Sequence, residues 1–278
     1  MRCYRHPDRE TYVSCSDCGR PICTECMTPA PVGQKCPEHS GKPQGLARVA
    51  SGVSLAGHGQ VAVVTRVLVA VNCLVYLAEL AQGSGVDANS GSIFEKGVLF
   101  GPFVAHGDWW RLITAAFLHA GPLHLAMNML ALWWFGQPVE QALGSARFAL
   151  LYLVSGLAGS AGALLVNPLS PTVGASGAIF GILGAAFVLE RQRMYVLGGS
   201  ALALIAINLV LSFTFANISV GGHLGGLAGG ALATLALSRF GRGHAVYGRL
   251  GLSGLAGVLA VGVISVAIAY WKAKNSLP

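Results

Sequence analysis

Charged residues are scarce in this chain of 278 residues, at 10%, whereas an average soluble domain has about 25%. Hydrophobic residues make up 54% of the chain. Acidic side chains are especially few, since none lies between Glu140 and Glu190 and none follows Glu190. This composition excludes an ordinary soluble protein and indicates an integral membrane protein.

The first 60 residues contain no apolar run. We therefore expect no cleavable secretory signal peptide, and we expect the first membrane span to direct insertion. Seven apolar runs follow, of which the fourth and sixth are short for a span of about 20 residues. The predicted spans lie at about 62–82, 112–136, 147–166, 176–190, 195–216, 221–238 and 250–271.

The net charge of +7 does not indicate a nucleic-acid partner, because the basic residues are dispersed along the chain. If the N-terminus is cytoplasmic and seven spans follow, 14 of the 18 Lys and Arg residues lie on the cytoplasmic side. That asymmetry agrees with the positive-inside rule. We predict a multi-pass protein of a bacterial plasma (inner) membrane, with the lipid bilayer around it and its N-terminal domain in the cytoplasm.

Six of the seven cysteines fall within residues 3–36, and two histidines complete four pairs with two residues between the members of each. In a reducing compartment, this pattern favours metal ligation over disulfides. Eight such ligands suffice for two tetrahedral Zn²⁺ sites, which leave no open position for a catalytic water. The predicted ligands of these two structural zinc ions are Cys3, His6, Cys15, Cys18, Cys23, Cys26, Cys36 and His39.

The order of the pairs leaves two arrangements open. Pairs one and three could share one ion and pairs two and four the other, which is a cross-braced arrangement, or neighbouring pairs could bind sequentially. The spacing resembles that of B-box-type zinc domains and covers residues 1–40. This domain could dock a cytosolic protein partner or form a folded cap, and the Gly-, Ser- and Ala-rich segment 41–60 is predicted to be a flexible linker.

Ser176 begins the fourth apolar run and His223 begins the sixth. Polar side chains are costly inside a membrane and therefore suggest function, although helix packing explains either motif taken alone. Glycines recur at helical spacing after both residues, so the two helices have smooth faces that can pack closely. If they do, the imidazole can remove the serine proton. These glycines are Gly177, Gly181 and Gly184 on one helix and Gly222, Gly226 and Gly230 on the other.

A third polar group, His119-x4-His124-x3-Asn128, enters the second span. His124 and Asn128 share a helix face, and both can donate hydrogen bonds to a developing oxyanion. A metal site is the alternative, but no Glu stands at the HExxH spacing. Gly121-Pro122 between the histidines predicts a bent entry into the helix.

Residues 62–240 resemble the rhomboid family of intramembrane serine proteases. The resemblance implies an all-α polytopic membrane protein with a six-helix core at 61–240. The small cross-braced zinc-binding domain predicted from the Cys/His pairs would precede this core as an addition to it. Residues 241–278 would add one C-terminal transmembrane helix. The matching motifs are Trp110-Arg111, His119-x4-His124-x3-Asn128 followed by Trp133-Trp134, Gly174-Ala175-Ser176-Gly177, and Gly222-His223.

The resemblance also implies a role for each matching residue. Ser176 would be the nucleophile and His223 the base, while His124, Asn128 and the Ser176 amide would hold the oxyanion. The residues expected to support the site are His119, Gly174, Gly177 and Phe180, the last by stacking on the histidine. Trp110-Arg111 would anchor the first loop in the membrane, and Glu140 resembles a structural acidic residue of the family.

The implied function is a serine endopeptidase that uses a Ser-His dyad, without a catalytic cofactor, to cleave transmembrane segments of membrane proteins near their extracytoplasmic end. The expected partners are therefore transmembrane protein substrates. A catalytically silent relative that binds membrane clients is the alternative, and such relatives lose the nucleophile or the base. A transporter is disfavoured because the polar residues gather at one face and form no path across the membrane.

Overall fold

A computed structural model describes residues 1–29, 33–40, 61–83, 86, 90–214, 218–240 and 251–276. The chain divides into two compact units, Met1–Gln60 and Val61–Pro278. The predicted linker at 41–60 and the segment 241–250 before the last helix lie outside the described residues.

The N-terminal unit has little regular structure. Its two short strands, β1 (Thr28–Pro29) and β2 (Gln34–Lys35), pair in antiparallel fashion. Its core consists of five buried cysteines around the fully buried Ile22. Cores this small usually need additional cross-links to be stable, and the buried cysteines are candidates for supplying them.

The second unit is built from helices, and the predicted all-α class is confirmed. A 3₁₀ turn at Ala115–Phe117 follows the fourth helix, and a π-helical turn at Leu132–Gly136 joins the fifth to the sixth. The helices are α1 (Val63–Ala81), α2 (Ser92–Gly97), α3 (Gly101–Ala105), α4 (Arg111–Thr114), α5 (Pro122–Ala131), α6 (Gln137–Leu143), α7 (Ser145–Val166), α8 (Ser176–Arg191), α9 (Ala201–Thr214), α10 (Val220–Phe240) and α11 (Leu252–Lys274).

Four of the described helices, α1, α7, α10 and α11, are long and apolar enough to cross a membrane. A bent pair of helical segments, Arg111–Phe117 and Pro122–Leu143, meets at 95°, which is the geometry of either a broken span or a re-entrant loop. The break has a local cause, because Gly121 has a φ of +95° and Pro122 opens α5 with its φ already fixed. The chain is therefore a polytopic membrane protein whose predicted second run, 112–136, is sharply bent and not one straight helix.

The lengths of the later helices differ from the sequence prediction. The sixth run is not short, since α10 has 21 residues and continues to Phe240. The fifth run begins later than predicted, because α9 starts at Ala201 and has 14 residues. Glu190 explains the late start: its carboxylate accepts hydrogen bonds from the backbone N–H groups of Leu197, Gly199 and Ala201 at 3.0–3.2 Å, which holds a turn before α9.

Helix α10 packs closely against both α7 and α8. A Cβ built on Gly225 would lie 2.4 Å from the carbonyl oxygen of Ala158, and one on Gly162 would lie 2.2 Å from that of Gly221. Separations below 3.0 Å are essentially never seen for real Cβ atoms. Glycine is therefore required at this crossing, where backbones rather than side chains form the contact.

Glu140 on α6 is a buried carboxylate, 1% exposed, near the first turn of α1. It accepts hydrogen bonds from the backbone N–H groups of Val64 at 2.9 Å and Thr65 at 2.7 Å. The hydroxyls of Thr65 and Ser145 also donate to it, at 2.7 and 2.6 Å. Since Ala62 at the N-cap has no side-chain cap hydrogen bond, Glu140 caps α1 from a distant part of the chain.

Candidate active site and metal centres

Ser176 is the first residue of α8, and the backbone turns just before it at Gly174, whose φ is +122°. A Cβ at Gly174 would lie 2.8 Å from the His124 ring, so this position needs glycine for its conformation and for space. The Gly174 N–H donates to the carbonyl oxygen of Ala115 at 2.9 Å. The turn therefore brings the start of α8 against the second span.

His223 lies on the first turn of α10 and is 7% exposed. Its Nε2 is 2.8 Å from the Oγ of Ser176, which is hydrogen-bonding distance. Glycines make this approach possible, because a Cβ on Gly226 would lie 1.9 Å from the carbonyl oxygen of Gly177. The structure therefore brings the predicted nucleophile and base together through the predicted glycine faces.

Two further side chains hold the imidazole of His223. The Phe180 ring, one turn after Ser176, stacks on it with centroids 4.0 Å apart and planes 17° apart. The Oγ of Ser212, on α9, lies 2.6 Å from Nδ1 of the same ring. Sequence reasoning missed Ser212, since one serine in an apolar helix carries no motif and only the packing of α9 on α10 reveals its partner.

His124 and Asn128 lie on successive turns of α5, as predicted from their spacing. The backbone N–H of Ala120 donates to Nδ1 of His124 at 3.3 Å, so a neutral His124 has its proton on Nε2. That nitrogen faces Gly174, because a Cβ there would lie 2.8 Å from it and 3.8 Å from Nδ2 of Asn128. Nε2–H of His124 and the side-chain amide of Asn128 therefore lie close together beside Gly174, which is two residues before Ser176 in the sequence.

His119 is fully buried, and its ring meets that of His124 edge-on, with centroids 5.2 Å apart. Neither of its ring nitrogens has a hydrogen-bond partner among the described residues. The structure therefore places His119 beside His124 as a packing neighbour.

Arg111 organises the loop between α1 and α5. Its guanidinium is buried, at 5% exposure for the residue, and donates to the carbonyl oxygens of Glu95 at 2.6 Å and Val98 at 3.1 Å. It also pairs with Asp108 at 2.9 Å. The adjacent Trp110 is 42% exposed and donates from its ring to the Lys96 carbonyl. One residue of the Trp-Arg motif therefore holds the loop internally, while the other faces its surroundings.

The N-terminal unit contains two clusters in which four ligand atoms lie within 4.8 Å of one another. The arrangement is crossed, because the first pair of the sequence joins the third and the second joins the fourth. The sequential alternative does not occur among the described residues. One cluster is Cys3, His6, Cys23 and Cys26, and the other is Cys15, Cys18, Cys36 and His39.

The spacing of the donor atoms fits a tetrahedral ion. Nδ1 of His6 lies 3.3 Å from Sγ of Cys23 and 3.4 Å from Sγ of Cys26. Nδ1 of His39 lies 3.1 Å from Sγ of Cys36. A tetrahedron with Zn–S of about 2.3 Å and Zn–N of about 2.0 Å separates its donors by roughly 3.5–3.8 Å. Small movements would therefore complete either shell.

The thiols of each cluster differ in acidity. Burial opposes ionisation of Cys3, but hydrogen bonds from backbone N–H groups, that of Cys23 first, lower its pKa to about 6. Cys15 has a pKa of about 6 for the same reasons, with Cys36 as the first backbone donor. Burial raises the pKa of Cys26 to about 11, and the neighbouring thiols add to the rise. A divalent cation would favour the thiolate form of all these ligands.

The membrane unit matches known proteins. The rhomboid domain family model matches residues 106–240. The chain is 40% identical over 177 residues to "Rhomboid protease GluP" of Bacillus subtilis, which covers 62% of this chain and 34% of that protein. It is 42% identical over 134 residues to "Putative rhomboid protease YdcA" of the same organism, covering 46% of this chain and 67% of the relative. The chain belongs to the rhomboid family.

A plant rhomboid relative shows similar identity. "RHOMBOID-like protein 1" of Arabidopsis thaliana is 41% identical over 129 residues, which covers 44% of this chain and 33% of that protein. The alignments thus span about a third of this relative and of GluP, and two thirds of YdcA. The residues that match the rhomboid family model include all the polar and aromatic side chains of the candidate active site, and the N-terminal Cys/His unit lies outside the match. The enclosed residues are His119, His124, Asn128, Ser176, Phe180, Ser212 and His223.

Proposed function

We propose that this rhomboid is an intramembrane serine endopeptidase that cleaves transmembrane segments of other membrane proteins near their extracytoplasmic end. The observation that carries the proposal is the 2.8 Å contact between Nε2 of His223 and Oγ of Ser176. A serine hydroxyl is a poor nucleophile until a base takes its proton, and a neutral imidazole at hydrogen-bonding distance can do so. The names of the GluP and YdcA relatives agree with this activity.

The surrounding donors suit the charge that develops during acyl transfer. Ser176 attacks a peptide carbonyl, and His223 takes the proton and returns it to the leaving amine. The carbonyl oxygen becomes negative and is held by Nε2–H of His124 and the free N–H of Asn128, which converge at Gly174. The N–H of Ser176 lies at the start of α8, where backbone N–H groups are unpaired, and adds a third donor.

The substrate must expose its backbone before attack. A helical transmembrane segment keeps its carbonyl groups in hydrogen bonds, so it has to unwind locally at the cleavage point. Glycine and proline lower the cost of unwinding by about 1 and 3 kcal/mol per residue. We therefore expect substrates with small or helix-breaking residues at the outer end of the segment, and we expect water from the outer face to hydrolyse the acyl-enzyme.

The test is cleavage of a model transmembrane substrate by the purified full-length protein in lipid vesicles. Ser176→Ala should abolish cleavage and fluorophosphonate labelling together. Ser170→Ala, in the loop before α8, is the matched control and should retain both activities. Undiminished cleavage by the Ser176→Ala protein would overturn the assignment of the nucleophile, and an unlabelled, inactive wild-type protein would favour a silent, client-binding rhomboid.

For the N-terminal unit we propose two structural zinc ions, one in each crossed cluster. The donor spacing and the small core of the unit support this, since a domain of this size needs such cross-links. Elemental analysis of the full-length protein should find two zinc ions per chain. Cys26→Ser should lower the zinc content, whereas Cys73→Ser, in α1 outside both clusters, should leave it unchanged.

The distribution of basic residues supports a plasma (inner) membrane location with the N-terminal domain in the cytoplasm. In the cytoplasm, the zinc unit would be accessible to a cytosolic protein partner, as the sequence suggests. Alkylation of the cysteines in intact cells and in inverted vesicles tests this placement. After zinc is removed with a chelator, a membrane-impermeant thiol reagent should reach Cys18, the exposed cysteine of the clusters, only in inverted vesicles.

A further inference from the structure

Ser212 has two hydrogen-bonding contacts and is 3% exposed. Its Oγ lies 2.6 Å from Nδ1 of His223 and 2.6 Å from the carbonyl oxygen of Asn208, one turn earlier in α9. The Ser212 hydroxyl therefore lies between a group that can only accept a hydrogen bond and a ring nitrogen that can donate or accept.

The single hydroxyl proton decides the direction of both bonds. Two oxygen atoms 2.6 Å apart repel each other unless a proton lies between them, and the Asn208 carbonyl has none to offer. The hydroxyl of Ser212 therefore donates to Asn208. Its lone pair then faces Nδ1 of His223, which must carry a proton in order to donate to it.

We propose that Ser212 is a positioning residue that holds neutral His223 in its Nδ1–H tautomer. In that tautomer the lone pair is on Nε2, 2.8 Å from the Ser176 hydroxyl, where a general base needs it. The inference rests on the proposed protease function. Phe180 has a different task, because a stacked ring fixes the plane of the imidazole but cannot distinguish its two nitrogens.

The same contact serves the charged intermediate. When His223 takes the proton from Ser176, both ring nitrogens become donors, and Ser212 continues to accept from Nδ1–H. Acid-base dyads of this type often use a carboxylate in that place. The chain has no Asp or Glu after Glu190, and a hydroxyl supplies an acceptor without burying a second charge.

The experiment compares Ser212→Ala, Ser212→Thr and Ser265→Ala with the wild type in the full-length protein in lipid vesicles. Ser265, on α11, is a buried helical serine that also donates to the carbonyl four residues earlier, so it controls for loss of that bond alone. We expect Ser212→Ala to lower kcat roughly tenfold with KM unchanged, since one neutral hydrogen bond supports a change of that order. Ser212→Thr keeps the hydroxyl and should restore most of kcat, and Ser265→Ala should match the wild type.

A spectroscopic measurement reads the tautomer without requiring activity. In protein labelled with ¹⁵N-histidine, the signals of His223 are identified by their loss in His223→Ala. The wild type should show Nδ1 protonated and Nε2 bare, and Ser212→Ala should show a mixture of both tautomers. This readout does not depend on turnover, and a purely structural role for Ser212 would not change it.

The outcomes separate this inference from the proposed function. An unchanged kcat and tautomer in Ser212→Ala, with Ser176→Ala inactive, would overturn the role of Ser212 and leave the protease intact. A wild-type His223 that is protonated on Nε2 would also overturn it. If Ser176→Ala cleaves as the wild type does, the proposed function fails, and the ¹⁵N measurement alone then decides the hydrogen-bond assignment.

Discussion

Replacing Gly226 with alanine tests whether the contact between α8 and α10 sets the geometry of the active site. A Cβ at Gly226 would lie 1.9 Å from the carbonyl oxygen of Gly177, which follows the proposed nucleophile Ser176. Real Cβ atoms essentially never come closer than 3.0 Å. The obstacle is backbone, which cannot rotate aside as a side chain could, so the added methyl group must push the two helices apart.

The displacement can be estimated from these distances. Moving from 1.9 Å to 3.0 Å requires a separation of about 1.1 Å, which would stretch the bond between Ser176 and His223 from 2.8 Å to about 3.9 Å. A contact of that length is no longer a hydrogen bond. Because a 1 Å misplacement costs on the order of 10²-fold in rate, we expect Gly226→Ala to lower kcat about a hundredfold.

Stability should change in the same variant. Overpacking costs about 1–3 kcal/mol, and alanine in a helix returns about 0.8–1.0 kcal/mol relative to glycine. We expect a net loss of up to about 2 kcal/mol in the free energy of unfolding, which leaves the protein folded. Cleavage, fluorophosphonate labelling and denaturant unfolding, measured on the same vesicle preparation, separate the loss of geometry from the loss of fold.

Gly262→Ala on α11 is the matched control. A Cβ there would lie 3.5 Å from Val154 Cγ2, an ordinary van der Waals contact. The control should retain full activity and gain up to about 1 kcal/mol of stability. Wild-type cleavage by folded Gly226→Ala would refute the reasoning, because it would show that the dyad does not depend on the close approach of these helices.

The other predictions concern the supports of the fold. Glu140→Gln should lower the free energy of unfolding by about 2–4 kcal/mol in denaturant titration. Each bond from an N–H or O–H donor to a carboxylate is worth about 1.5–3 kcal/mol, and the NH₂ group of glutamine would face such donors without being able to accept from them. Arg111→Lys should loosen the first loop and speed its proteolysis, since an ammonium cannot reproduce the fork that reaches two carbonyls and Asp108. Zinc should leave the N-terminal unit on acidification, because protons compete with the metal for the Cys and His ligands, and a metal-sensitive dye would report its release.

Each of these predictions has a control in the same chain. Glu190→Gln removes a carboxylate that only holds the turn before α9, and it should cost less stability than Glu140→Gln. Arg147→Lys changes an arginine on α7, outside the first loop, that donates to the Leu143 carbonyl, and it should leave loop proteolysis unchanged. Zinc retained at pH 4 would contradict the prediction that acid releases the metal. Equal losses of stability in Glu140→Gln and Glu190→Gln would contradict the role of Glu140, and equal loop proteolysis in Arg111→Lys and Arg147→Lys would contradict that of Arg111.

The membrane class of the protein could be read from local sequence because hydropathy is a property of each segment. Low charge and long apolar runs predict transmembrane helices, and Gly121-Pro122 predicts the bend that the structure has at 95°. The boundaries of α9 and α10 were harder to predict from the sequence. Glu190 binds backbone N–H groups up to eleven residues further along, and no propensity of the apolar run itself indicates where α9 begins.

The residues of the candidate active site also divide into those that the sequence predicted and those that only the packing revealed. The glycine spacing after Ser176 and His223 predicts two smooth helix faces, and the structure packs those faces together with the two side chains 2.8 Å apart. Ser212 and its contact with Nδ1 were invisible in the sequence. A single serine becomes informative only when a third helix brings it against the ring.

The N-terminal unit shows why some features could be predicted from the sequence and others could not. Sequence alone predicted eight Cys and His residues as metal ligands, because ligand chemistry belongs to each side chain and the two-residue gap is local. It left the crossed and the sequential pairings open, and the path of the chain decided for the crossed one. The local sequence determines which chemical groups are present and at what spacing, whereas the choice among partners distant in the sequence depends on how separate segments pack.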